Sequence, residues 1–220
     1  MGAVVFDLDG TLADTSGDLL AAANACFRQM GYGDVLGPQD AGVALRGGRR
    51  MLSHGLARLG VPEGEIVDRY YPVLLDAYGA DISSRTTLFP GVMAAVEMLK
   101  SAGYAVGICT NKPEGLADQL LTDLGVRAEF GALVGADTLP VRKPDPAPLF
   151  ETAKRLGRDR THCLLVGDSD TDRNTAKAAG VPSILVTFGP SGDDMAALAP
   201  DALLADYADL PGIVADLMAP

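Results

Sequence analysis

Apolar residues fall along the chain in short unbroken runs that end abruptly in polar ones. Ala3-Val-Val-Phe-Asp7 stops in Asp-Gly-Thr, and comparable runs follow at Tyr104–Cys109, Ala132–Val134, His162–Val166 and Pro182–Val186. Runs of this length, bounded by turn residues, predict buried strands. Helical periodicity separates them at about 92–102, 114–124, 146–156 and 171–179. Ser101-Ala-Gly103, Asp123-Leu-Gly125 and Ala178-Ala-Gly180 supply the glycine that helix ends prefer. Strands alternating with single helices predict an α/β fold, a doubly wound parallel sheet covered on both faces. In such sheets the reactive site lies beyond the carboxyl ends of the strands. A weaker pattern at the tail adds a short strand over Ala202–Leu204 and a closing helix.

One stretch breaks the alternation. From Ser16 to Thr86 only helical periodicity is present, at about 18–30, 39–45, 49–59 and 63–78, punctuated by Gly31, Gly37-Pro38, Gly60 and Pro62. The reading is a core made of residues 1–15 and 87–220, with a helical insert over 16–86 placed as a lid above the strand ends.

Composition narrows the partners. Eighteen basic residues against 29 acidic ones leave a formal charge of -11, and no basic run exceeds Arg49-Arg50, so nucleic acid is excluded as a partner. No stretch of about 18 apolar residues occurs, and no basic region precedes an apolar one at the N-terminus, so neither a membrane span nor a signal peptide is expected. The three cysteines, Cys26, Cys109 and Cys163, lack CxxC spacing and read as buried thiols in a reducing cytoplasm. His54 and His162 read as structural. Oligomeric state is not legible.

The strand ends carry the candidate chemistry. Asp7 and Asp9 bracket the first, followed by Gly10 and Thr11. One carboxylate can act as a nucleophile and a second as general acid and base, while glycine lets loop amides approach an anion. The second strand ends in Thr110-Asn111-Lys112, hydrogen-bonding groups equally suited to capping a helix. Lys143 stands in Val141-Arg-Lys-Pro-Asp-Pro-Ala-Pro148, a loop stiffened by three prolines. Asp168, Asp170 and Asp172 crowd after the fourth run; such clusters imply a cation or shifted ionisation, and oxygen ligands suit magnesium. Each element alone has an ordinary explanation as an Asx turn, a helix cap or a surface lysine.

Taken in order, the four elements resemble the haloacid dehalogenase superfamily, through Asp7-Leu-Asp9-Gly-Thr-Leu, Thr110-Asn111, Lys143-Pro and Gly167-Asp168-Ser-Asp-Thr-Asp172. The resemblance covers essentially the whole chain, with the insert in the position of that family's α-helical cap. It implies that Asp7 is a nucleophile and magnesium (Mg2+) ligand. Asp9 becomes the acid/base, its backbone carbonyl touching the metal. Thr110 and Lys143 bind the phosphoryl group, Gly10, Thr11 and Asn111 complete its cradle, and Asp168 ligates the metal, with Asp172 supporting it through water or through Lys143. Asp9 separates the chain from true dehalogenases. No lysine lies between Thr11 and Leu99, which excludes the Schiff-base chemistry of phosphonoacetaldehyde hydrolases. β-Phosphoglucomutases usually carry Glu-Asp where this chain has Gly167-Asp168. The motif wording looks most like phosphoglycolate phosphatases; pyrophosphate and nucleotide hydrolases share much of it. The expected partner is thus a small phosphate ester. Arg50 falls where the mutases carry a substrate-binding arginine and is the candidate reader of the rest of the substrate. Receiver-type signalling domains share an acidic cluster, a Thr and a Lys, but lack the helical insert and the second aspartate two residues on.

Overall fold

The computed structural model describes residues 1–189 and 194–219. The chain divides into two compact units, Met1–Ala13 with Leu88–Pro220, and Asp14–Thr87. Among the described residues the strands are β1 (Ala3–Phe6), β2 (Ala13–Asp14), β3 (Thr87–Leu88), β4 (Ala105–Cys109), β5 (Ala132–Val134), β6 (Cys163–Gly167), β7 (Ser183–Val186) and β8 (Ala202–Leu204). The helices are α1 (Ser16–Gln29), α2 (Ala41–Ala44), α3 (Gly48–Arg58), α4 (Ile66–Ala80), α5 (Val92–Ser101), α6 (Glu114–Asp123), α7 (Ala147–Arg155), α8 (Asp170–Ala179) and α9 (Leu210–Leu217).

The first unit is built on a six-stranded sheet in the order β5-β4-β1-β6-β7-β8, parallel throughout. β1 lies inside it, with Val5 opposite Gly107 on one side and Leu165 on the other. All four β1 residues are fully buried, as are all five of β6, which is why these strands read as unbroken apolar runs. The chain leaves β1 toward β4 on one flank and returns to β6 on the other. The carboxyl ends of β1, β4 and β6 therefore frame a topological switch point, where open α/β sheets bind ligands.

The second unit packs four helices. Phe27 of α1 points its ring tip at Gly55 of α3, where an added Cβ would meet Cζ at 2.2 Å. Two expectations shift here. The helix read from residue 63 begins at Ile66 because Gly64 takes φ +44°, which a continuing helix does not accept. The helix read over 39–45 is a 3-10 turn, Pro38–Asp40, followed by the single turn of α2. Strands β2 and β3, two residues each, lie just outside the insert and were too short to show alternation. No helix among the described residues is long and apolar enough to cross a membrane.

Asp40 anchors this unit. It is 3% exposed and accepts hydrogen bonds from Arg58 Nη2 at 2.6 Å and Nη1 at 2.9 Å, from the Gly37 amide at 2.9 Å, and contacts His54 Nε2 at 3.1 Å. The Arg58 bond outweighs burial and holds the Asp40 carboxyl down at about 2. Its folded value lies below the ordinary one, so the stabilisation is present above about pH 4 and is lost as pH falls toward 2. The urea midpoint should therefore drop further between pH 5 and pH 2.5 in the wild type than in Asp40→Asn, which should already be weaker at pH 5. Parallel profiles would show that Asp40 does not carry this dependence.

Candidate active site

β1 hands its last hydrogen bond to Asp7, whose amide donates to Val166 O at 2.8 Å. The chain then turns sharply: the amides of Thr11, Leu12 and Ala13 all reach Leu8 O, and Gly10 N reaches Ala13 O at 2.9 Å. Gly10 sits at φ +81°, a conformation that a side chain would oppose. The closure has a chemical consequence. The amides of Gly10 and Thr11, expected to cradle an anion, are committed within the loop. The Thr11 side chain, also expected to face the substrate, is fully buried and donates to Asp168 Oδ1 at 3.1 Å.

Asp7 and Asp168, from the ends of β1 and β6, converge with Asp172 from the first turn of α8. One carboxylate oxygen from each lies within 4.8 Å of the others. Lys143, with a side chain 1% exposed, reaches in from the loop before α7 and places Nζ 2.6 Å from Asp172 Oδ1 and 3.2 Å from Asp7 Oδ1. Asn111 Nδ2 donates to Lys143 O at 3.0 Å and so ties the end of β4 to that loop. Thr110 is buried beside them, its Oγ1 accepting from the Lys112 amide at 3.2 Å.

Asp172 can approach because residue 167 is glycine: a Cβ there would lie 2.3 Å from Asp172 Cβ and Cγ. Asp172 Oδ2 accepts from Ser169 Oγ at 2.5 Å and from the Asp168 amide at 3.3 Å. Both oxygens of Asp172 are thus engaged, and its main contact is with Lys143. Asp7 and Asp168 each keep an oxygen, Oδ2, that accepts no hydrogen bond among the described residues.

Charge in this cluster is unbalanced. Burial, with Asp172 and Asp9 adding to it, pushes Asp7 up to about 6, while Lys143 and the Leu8 amide pull it back only in part. Asp168 is raised well above the usual range, first by burial and then by Asp172 and Asp7. Burial opposes the charge on Lys143, but Asp172 and Asp7 outweigh it and hold the ammonium far above its ordinary value. Hard oxygen donors with surplus negative charge match what magnesium requires. The residues present fit a divalent cation on Asp7 and Asp168.

One partner was not legible. Lys112, quoted in the sequence only as the residue after Asn111, has a side chain 3% exposed and spans both oxygens of Asp9 at 2.9 and 3.2 Å. Its only sequence signal was a lysine three residues beyond a strand end. Asp170 joins none of these contacts and opens α8. Arg50 lies in the other unit, third in α3, exposed and without an ion pair among the described residues. Its neighbour Arg49 is held by Asp68 at 2.6 Å and sits over the Tyr71 ring at 4.6 Å. Arg28, Arg58 and Arg85 are likewise paired with carboxylates. Gly47, at φ +103°, precedes α3, and a Cβ on Gly48 would meet Leu74 at 2.9 Å.

Comparison with known proteins places the chain among relatives. A phosphoglycolate phosphatase of Mesorhizobium japonicum is 37% identical over 209 residues, 93% of this chain and 90% of its own. One from Xanthomonas campestris pv. campestris is 40% identical over 193 residues, 87% of this chain and 86% of its own. A crystal structure described as a predicted phosphoglycolate phosphatase from Haemophilus somnus superposes with a TM-score of 0.85 at 26% identity, covering 97% of each chain. Residues 4–186 match the sequence model of the haloacid dehalogenase-like hydrolases, and the chain belongs to that family.

Proposed function

We propose that the protein is a magnesium-dependent phosphomonoesterase whose substrate is 2-phosphoglycolate, working through a phosphoaspartate on Asp7. The observation that carries this reading is the convergence of Asp7, Asp168 and Asp172 with Lys143 at the switch point of the sheet. The Asp7 carboxylate attacks phosphorus and the ester P–O bond breaks. Asp9 gives its proton to the departing oxygen. Water then loses a proton to Asp9 and attacks the phosphoaspartate, which releases inorganic phosphate and restores Asp7. Lys143 and Thr110 oppose the charge on the phosphoryl oxygens, and Asp172 holds Lys143 in place. Asp7 and Asp168, with the Asp9 carbonyl, would hold magnesium, which would supply charge neutralisation for the phosphoryl oxygens. Relatives that bear the name phosphoglycolate phosphatase support this choice of substrate.

The mutase reading is disfavoured by Gly167. Any side chain at that position collides with Asp172, so the mutases' Glu-Asp pair does not fit this arrangement of the fourth motif. Gly167→Ala should displace Asp172, loosen Lys143 and cost about 1–3 kcal/mol of stability, measured by urea unfolding. A neutral effect would remove this argument. The function itself is tested by a hydrolysis screen with magnesium across 2-phosphoglycolate, hexose phosphates, nucleotides and pyrophosphate. Phosphoglycolate should show the highest kcat/KM. Interconversion of hexose phosphates without phosphate release would favour the mutase instead.

The covalent route predicts that Asp7→Asn abolishes turnover of p-nitrophenyl phosphate with the circular dichroism unchanged. Asp9→Asn should slow turnover by about 10²–10⁴. Residual activity in Asp7→Asn, with deamidation excluded, would refute a phosphoaspartate.

Specificity falls to the helical unit, since the core groups address the phosphoryl group alone. Arg50 carries a guanidinium that no carboxylate among the described residues occupies, and a guanidinium binds a substrate carboxylate through two hydrogen bonds. Arg50→Ala should lower kcat/KM for 2-phosphoglycolate at least tenfold, about 1.4 kcal/mol. Turnover of p-nitrophenyl phosphate should change little. Equal losses on both substrates would assign Arg50 to the architecture of the unit.

A further inference from the structure

The C-terminal segment lies outside all four motifs, yet it reaches the first of them. We propose that Tyr207 is a positioning residue for Asp168, acting through Thr11. The proposal rests on the reading above that Asp168 ligates the metal. Tyr207 is 1% exposed and its hydroxyl donates to Thr11 O at 2.6 Å, across 196 residues of chain. Thr11 in turn donates its hydroxyl to Asp168 Oδ1 at 3.1 Å. No backbone amide among the described residues bonds the Thr11 carbonyl. Without the phenol, this buried carbonyl faces the interior unpaired, and the loop carrying Asp7, Asp9 and Thr11 is free to shift.

The anchor itself is rigid. Tyr207 stands in a 3-10 turn, Tyr207–Asp209, whose preceding Asp206 accepts from Ala208 N at 2.9 Å. The buried Leu210 and Val214 of α9 fix the turn to the core. Its ring packs on Phe188 at 5.3 Å, and Phe188 on Phe89 at 5.0 Å. Phe89 donates its amide to Leu12 O at 3.0 Å, so two successive carbonyls of the loop are held by one aromatic cluster. Burial, with the nearby Asp168 charge adding to it, raises the phenol far above its usual range. It therefore stays a donor at any working pH. A residue that only filled the core would need no hydroxyl directed at this carbonyl.

The test is metal binding by the full chain, read from the free Mn2+ signal in electron paramagnetic resonance, with the metal-free thermal midpoint as a control. Tyr207→Phe should weaken Mn2+ binding at least threefold while the metal-free midpoint moves by only a few degrees. Thr11→Val should weaken it by at least as much. The double variant should bind no worse than Thr11→Val alone, because both substitutions break one path. Wild-type affinity in either single variant, or additive losses in the double, would overturn the proposal. Thr11→Val leaves the Tyr207 bond in place and decides the matter should Tyr207→Phe not fold. Asp168→Ala should lose far more affinity than any of these. If instead it binds Mn2+ like the wild type, the metal assignment fails, a result distinct from a failure at Tyr207 alone.

Discussion

A lysine ammonium buried among aspartates is the interaction on which the rest of the site depends. Lys143 lies 2.6 Å from Asp172 and 3.2 Å from Asp7, with its side chain and that of Asp172 each 1% exposed. Taking these charges out of water is costly, and their attraction repays it only where geometry is tight and the remaining lone pairs are filled. The surroundings meet that demand piece by piece. Gly167 opens the space for Asp172, Ser169 and the Asp168 amide fill its second oxygen, and Asn111 holds the Lys143 backbone. The parallel sheet brings these pieces together from β1, β4, β6 and the loop before α7.

That one ammonium does not balance the three carboxylates around it. Asp7 and Asp168 both stand above the usual carboxylate range, for reasons of burial and mutual repulsion. An unbalanced cluster is a liability for stability and an asset for binding. Its surplus of carboxylate oxygens is suited to a cation. Asp172 is the member that resolves the apparent redundancy. With both its oxygens engaged, it tethers Lys143, which leaves Asp7 and Asp168 to present theirs.

Much of this was legible because it is local. A buried parallel strand is an unbroken apolar run, so β1, β4, β5, β6 and β7 were found within a residue or so of their ends. The turn after β1 announced itself through Asp7, Asp9 and Gly10. The direction of side chains within the turn was not legible, since Thr11 faces Asp168 only because Leu8 O gathers three amides and closes the loop. Pairings across the chain were equally hidden. Lys112 meets Asp9 over a separation of 103 residues and Tyr207 meets Thr11 over 196, and no short-range pattern encodes either. The helical unit was read least well at Gly37–Asp40 and Gly64, where a single carboxylate or a positive φ overrides the periodicity.

The overall charge of -11 sets the final constraint. A field of that sign repels a doubly charged phosphate ester, so long-range steering works against encounter and the attraction must be short-ranged. The cations of the core respect this logic. Lys112 and Lys143 are buried and matched to aspartates, so they add no net positive potential at a distance. Arginines of the helical unit are mostly neutralised in the same way by Asp34, Asp40, Asp68 and Asp81. An exposed guanidinium left outside this pairing, such as Arg50, is therefore conspicuous. Arg28, Arg49, Arg58 and Arg85 keep a carboxylate they were folded with; Arg50, like Arg69, is exposed and has no such pair among the described residues.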